Sequence, residues 1–196
     1  MFFLQTFVSG KRRNFLLVDG CNQFSPMPEC HHVYLLLGGN LGNVEESFHR
    51  AILMLEDRFG KLLSKSSLYM TEPWGMDAPY PFYNQAVCLS SRLHPTKMMK
   101  TILAIERKMG RRRTPGKMDS RPIDIDILLI NGMVISEPGL QVPHPRLHLR
   151  RFALQPLAEI APGLLHPLLG MSIQELLEDC TDNLSVSLLS GEEASS

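Results

Sequence analysis

Asp124 and Asp126 stand two residues apart in "RPIDIDILLI", alternating with Ile123, Ile125 and Ile127. Aspartate is depleted in strands, yet the isoleucines mark this stretch as one. Side chains two apart on a strand share a face, so both carboxylates point one way and the isoleucines the other. Their β-carbons then lie about 6 to 7 Å apart. At an effective dielectric near 20, two bare charges at that distance repel by about 2 to 3 kcal/mol. Water screens such a pair on a solvated edge strand; a cation neutralises it in a site. Oxygen-only ligands suit a hard cation, and Mg²⁺ needs only one or two carboxylates beside substrate phosphates. Two metals 3.5 to 4 Å apart can also share such a pair.

The neighbours favour the site. Arg111, Arg112, Arg113, Lys117 and Arg121 crowd the segment entering the strand. Arginine binds phosphate oxygens bidentately. Acids for a metal beside arginines for phosphate are the equipment of phosphoryl transfer. "RRR" alone also fits a solvated basic loop or a nucleic-acid contact. Downstream, His144, Arg146, His148, Arg150 and Arg151 form a second basic cluster, some of which could reach the same phosphates. The stretch "TEPWGMDAPYPFYN" brings Trp74, Tyr80, Phe82 and Tyr83 next to Asn84. An amide that both donates and accepts suits a heterocycle edge, and an aromatic ring suits its face. The same aromatics equally suit a core. Gly38, Gly39 and Gly42 match no dinucleotide or Walker pattern; they permit a tight turn or a close backbone approach.

Positioning these groups requires a scaffold. "VYLLLG" from Val33 to Gly38 reads as a strand ending at glycines. Asn43 with Glu46 resembles a capping box, and Val44, Phe48, Ala51, Ile52, Leu55 and Phe59 follow at helical spacing until Gly60. "KLLSKSSLYM" reads as one strand. Residues 71–83, with three prolines and a glycine, form a loop long enough to be functional. "QAVCLSSRL" is a strand. Pro95 opens a helix with Met98, Met99, Ile102, Ile105 and Met109 on its apolar face, stopped by Gly110. After the basic loop comes the aspartate strand, then a short strand in "GMVIS". "LQVPHPRLHLR" reads as a proline-broken loop, "FALQPLAEI" as a helix, and "SIQELLED" as a helix capped by Ser172 and Glu175. The order is that of a ferredoxin-like β-α-β-β-α-β α+β sandwich with long catalytic loops.

Composition bounds the reading. With 196 residues, 44% of them hydrophobic, the chain can build one domain with a real core. Twenty basic residues balance twenty acidic ones, so no global field argues for nucleic acid or an anionic membrane. Cys21, Cys30, Cys88 and Cys180 are scattered, unlike a disulfide framework or zinc site, which suits a reducing cytoplasm. "KRRNFLLVDGC" is too short in its apolar part for a signal peptide. Residues 1–30 are expected to be an unstructured extension, with Met27 as an alternative start. One domain is expected over residues 31–182, and a frayed polar tail over 183–196.

Five blocks in order now carry a resemblance: "LGGNLGN", "SLYMTEPWG", "PFYNQAV", "IERKMGRRRTPGKMDSRPIDIDILL" and "VPHPRLHLRRFALQPLAEIAP". Over Val33 to Pro167 the chain resembles the 6-hydroxymethyl-7,8-dihydropterin pyrophosphokinases of folate biosynthesis. The resemblance implies transfer of diphosphate from ATP to the pterin hydroxymethyl group, with release of AMP, by a cytoplasmic monomer. It implies that Asp124 and Asp126 hold two Mg²⁺ ions and that Asp124 helps orient the hydroxyl. Arg111 and Arg113 match arginines acting on the transferred diphosphate. Glu106, Arg121, Ile127, His144 and Arg150 match nucleotide-binding positions. Phe82 and Phe152 match the aromatics that stack on the pterin, Asn84 the side chain that reads its edge, and Thr71, Glu72 and Trp74 positions that contribute mainly backbone contacts. The departures are Met118, where the family often has tryptophan, Asp119-Ser120 for a frequent Gly-Pro, Thr114 for a basic residue and Gly39 for a serine. They concern loop closure rather than the metal site.

Two rivals make different predictions. A nucleotidyltransferase also uses a glycine turn and an Asp-x-Asp strand, but typically adds a third acid on a neighbouring strand, and none stands out. An RNA-binding ferredoxin-like module needs exposed aromatics on its sheet and net positive charge; "IDIDILL" has no aromatic, and the net charge is zero.

Overall fold

The computed structural model describes residues 30–71, 81–111 and 120–189. The expectations for the N-terminal extension and the Met27 start, for Glu72 and Trp74, and for Arg113, Thr114, Met118 and Asp119 fall outside these residues.

A mixed architecture of helices and antiparallel sheet emerges. Strand β1 (His31–Gly39) lies inside a six-stranded sheet, between β4 (Phe82–Ser91) and β5 (Asp124–Ile130). Val33, Leu35, Leu36 and Leu37 are all buried, as a strand covered on both faces requires. Helix α1 (Val44–Arg58) follows β1, its Asn43 side chain accepting the Glu46 N–H at 3.1 Å. Helix α2 (Pro95–Lys108) begins with its proline, whose missing N–H costs nothing in the first turn. Both helices pack on one sheet face. Phe48, Ala51, Ile52 and Leu55 of α1 and Met98, Ile102 and Ile105 of α2 meet Leu35, Leu37, Val87, Leu89, Ile123, Ile125 and Ile127. Each fully buried leucine or isoleucine there contributes about 1.5 to 3 kcal/mol.

The opposite face is covered by α3 (Arg151–Ile160) and α4 (Ile173–Glu178). Leu36, Ala86, Leu128 and Leu129 pack with Leu154 and Leu157 of α3 and Ile173, Leu176 and Leu177 of α4. Pro156 sits inside α3 and removes the N–H that would bond the Phe152 carbonyl. Ser172 and Glu175 form both arms of the α4 capping box.

A bulge adjusts β5. The register with β1 shifts between Tyr34 and Leu35, which pair with Leu129 and Ile127, leaving Leu128 as the extra residue. Ile123, Ile125 and Ile127 face α1 and α2, whereas Leu128 and Leu129 both turn toward α3. Asp124 and Asp126 pair with Gly38 and Leu36 and share the α3 face, as the alternation predicts.

Three local expectations change. "KLLSKSSLYM" is two strands, β2 (Lys61–Lys65) and β3 (Tyr69–Thr71), each pairing with a different part of β4. Ser66 breaks the run by bonding Ala86 through both backbone and side chain: its N–H donates to the Ala86 carbonyl at 2.9 Å and its Oγ accepts the Ala86 N–H at 3.0 Å. Glu159 of α3 holds the break, accepting from Ser67 N–H and Oγ and from the Tyr69 hydroxyl. "LQVPHPRLHLR" is not all loop: β7 (Leu140–Val142) pairs with β6 (Ile135–Glu137), and a 3-10 turn spans Leu147–Leu149. Within the expected polar tail, β8 (Val186–Leu188) adds an edge strand to β3. The sheet runs β5-β1-β4-β3-β8, with β2 also on β4.

Candidate active site

One row crosses three strands in register: Asn84 on β4, Gly38 on β1 and Asp124 on β5. Phe82 lies two residues before Asn84 on the same face, and Thr71 pairs with it from β3. Asp126 lies two residues beyond Asp124. The sheet therefore gathers the expected metal, edge-reading and stacking residues on the face that α3 covers. Phe152, in the first turn of α3, packs against the apolar cluster on this same face.

Asp124 is 9% exposed and held by two arginines. Arg121 Nη2 bonds Asp124 Oδ2 at 2.8 Å, and Arg111 Nη1 bonds Asp124 Oδ1 and Glu106 Oε1 together. Glu106, buried on α2, also accepts the Ile125 N–H at 2.9 Å. It thus ties the end of α2 to β5 and aims Arg111 across to the aspartate. The Arg121 guanidinium lies 5.8 Å from the Phe82 ring centroid, and that of Arg150 lies 5.5 Å from Phe152. Each of the two aromatic rings is therefore paired with a guanidinium cation.

The electrostatics are unbalanced at Asp126. Burial raises its pKa above the ordinary carboxylate value, and the neighbouring Asp124 charge raises it further, against the opposing pull of Arg150, Arg121 and Arg111. A cation between the carboxylates would relieve that penalty. Among the described residues no three His, Cys, Asp or Glu side chains form a metal cage. A cation here would complete its shell with water and substrate oxygens, in the manner of Mg²⁺. Arg121 Nε is buried without a hydrogen-bond partner among the described residues, a donor that a phosphate oxygen would satisfy.

His144 is set as a neutral donor. Its Nδ1 accepts the Arg146 N–H at 3.2 Å, which leaves the proton on Nε2. Burial first, then the charges of Arg150 and Arg146, lower its pKa to about 4. His144 and Asp126 border a cavity of about 360 Å³, completed by Met99, Ile127 and the β6–β7 turn from Glu137 to Gln141. Ile127 turns its side chain into the core and borders the cavity from the strand.

Sequence reading missed two parts of this site. Asn40, 4% exposed, accepts the Arg121 N–H at 2.8 Å and donates to Ser120 Oγ at 3.0 Å. It anchors the segment that carries Arg121; an asparagine directly after the Gly38-Gly39 pair was its only signal. The wall from Glu137 to Gln141 had the turn signal Pro138-Gly139 but no chemical one. Conversely, the second basic cluster divides. His144 and Arg150 face the site, whereas Arg151 bonds the carbonyls of Cys180 and Asp182, and the His148 ring meets His166 edge-on. Thr71 Oγ1 accepts from Asn84 Nδ2 at 3.2 Å and donates to the Phe82 carbonyl at 3.3 Å, so its role here is to brace the other two.

Two same-face carboxylates, three arginines and two aromatic rings on one face of an antiparallel α+β sheet fit a phosphoryl-transfer type of site. Comparison with known proteins agrees. Residues 34–162 match the family described as 7,8-dihydro-6-hydroxymethylpterin-pyrophosphokinase (HPPK). The chain is 44% identical over 138 residues to 2-amino-4-hydroxy-6-hydroxymethyldihydropteridine pyrophosphokinase of Porphyromonas gingivalis, covering 69% of this chain and 93% of that one. It is 36% identical over 156 residues to the protein of the same name from Synechocystis, covering 78% and 79%. Among solved structures it is similar to wild-type HPPK-DHPS of Plasmodium falciparum, with a TM-score of 0.64 at 18% identity, over 76% of this chain. It spans only 44% of that longer chain. The chain belongs to the 7,8-dihydro-6-hydroxymethylpterin-pyrophosphokinase family.

Proposed function

We propose that this chain transfers the β,γ-diphosphate of ATP to 6-hydroxymethyl-7,8-dihydropterin, giving AMP and the pterin diphosphate, a step of tetrahydrofolate biosynthesis. The observation that carries the reading is the same-face pair Asp124 and Asp126, bracketed by Arg111, Arg121 and Arg150 and in register with Asn84. Asp124 and Asp126 hold Mg²⁺, two ions in this reading, which when bound neutralises charge on the phosphates. Arg111, Arg121 and Arg150 engage phosphate oxygens; Arg111 releases Asp124 as it does so, and Glu106 keeps it within reach. Arg113, by the family resemblance, also acts on the diphosphate. Asn84, braced by Thr71, reads the pterin edge. Phe82 and Phe152 stack on its faces, and the family resemblance assigns Thr71, Glu72 and Trp74 mainly backbone contacts to it. The cavity beside His144 suits the nucleoside, with Nε2–H as a donor toward it. The pterin hydroxyl oxygen bonds to the β-phosphorus as the bond from that phosphorus to the oxygen bridging it to the α-phosphorus breaks; AMP leaves with that oxygen and the hydroxyl proton passes to solvent. Catalysis is then mainly positioning and charge neutralisation.

The strand order β5-β1-β4-β2, with α1 and α2 on one face, supports a ferredoxin-like core. We read residues 31–182 as one diphosphokinase domain, acting as a cytoplasmic monomer. Among the described residues no helix is long and apolar enough to cross a membrane. Chromatographic product analysis with ATP, Mg²⁺ and the reduced pterin tests the function. AMP with pterin diphosphate supports it, whereas free pyrophosphate would point to nucleotidyl transfer.

A further inference from the structure

We infer that Gly38 is a specificity position, a deliberately bare floor over which the pterin lies; this rests on the pterin reading above. Gly38 lies midway in the row from Asn84 to Asp124. Two interstrand spacings put the ends of that row about 9 to 10 Å apart. That distance matches a fused two-ring heterocycle with a one-carbon hydroxyl arm, its amide edge at Asn84 and its hydroxyl at Asp124. A β-carbon at Gly38 would stand between them, 3.5 Å from Asn84 Oδ1 and 3.9 Å from the Asp124 β-carbon.

The fold itself does not require glycine here. Gly38 lies outside the left-handed region that Gly42, Gly60 and Gly110 occupy, and an added β-carbon makes only ordinary contacts. The glycines with structural reasons differ. At Gly39 a β-carbon would meet the Pro122 carbonyl oxygen at 2.9 Å, and at Gly60 the Ser90 carbonyl oxygen at 2.0 Å. Glycine also weakens a strand interior. Its presence in an inner strand, half-buried between the buried Leu37 and Gly39, therefore serves the ligand rather than the sheet.

The test compares the wild-type chain with Gly38→Ala. The reduced pterin is titrated calorimetrically in saturating Mg²⁺ and a non-hydrolysable ATP analogue; the analogue is also titrated alone, and melting temperatures and both KM values are measured. Gly38→Ala is expected to weaken pterin binding and raise pterin KM about tenfold or more, the range for one misplaced methyl group. Nucleotide affinity stays within about twofold, by the same reckoning, and the melting temperature is equal or higher. Wild-type pterin affinity in the variant overturns the proposal and leaves the pyrophosphokinase reading intact. A lower melting temperature, or equal loss of both ligands, makes the glycine structural and also overturns it. A wild-type chain that binds the nucleotide analogue but no pterin overturns the functional reading and this inference together.

Discussion

At the scale of single residues, Arg121 connects more of the site than any other side chain described. It pairs with Asp124, lies against Phe82, is anchored by Asn40 and has one buried donor without a partner among the described residues. Its planar fork serves several partners at once, which an ammonium cannot reproduce. Arg121→Ala is expected to lower kcat/KM about a hundredfold or more, comparable to losing one preorganised donor. Arg121→Lys should recover only a small part, and steady-state kinetics for both substrates check this. Full recovery by lysine would show that charge alone is at work. Asp124, Asp126 and the arginines were legible in sequence because carboxylates in a strand need a reason. Asn40 was not legible, because its role lies in a contact between segments eighty residues apart.

At the scale of elements, caps and close approaches decide stability. Ser172→Ala removes the hydroxyl arm of the α4 capping box, leaving only the backbone N–H bond to Glu175, and is expected to cost about 1 kcal/mol by urea denaturation. Gly60→Ala should cost more, about 3 kcal/mol, because its positive φ and the nearby Ser90 carbonyl both oppose a β-carbon. Comparable costs for the two variants would contradict that ranking. Helices α1, α2 and α4 were readable from apolar spacing and caps, since both are local signals. The split of β2 from β3 was not, because Ser66 takes its partner from β4. Strand β8 was hidden for a similar reason: Val186 and Leu188 stand among polar residues, and only pairing with β3 makes them a strand. The cavity wall from Glu137 to Gln141 carries only the turn signal Pro138-Gly139 in sequence, and folding alone brings it to the cavity beside Asp126.

At the scale of the whole molecule, zero net charge conceals a strongly polarised site, and pH should expose it. His144 is depressed to about 4, below its unfolded value. The unfolded chain therefore takes up a proton that the folded chain resists. Its contribution is fully present above pH 6.5 and is lost as pH falls from there through about 4. The urea midpoint of the wild type should fall over that window more steeply than that of His144→Gln; parallel curves would contradict the assignment. The central claim concerns the aspartate pair, and its most direct measurement is the AMP turnover of Asp126→Ala beside the wild type, with circular dichroism confirming the fold. A loss of about a thousandfold or more is predicted, as expected when transition-state charge stabilisation is removed. Turnover near the wild-type level would contradict the site.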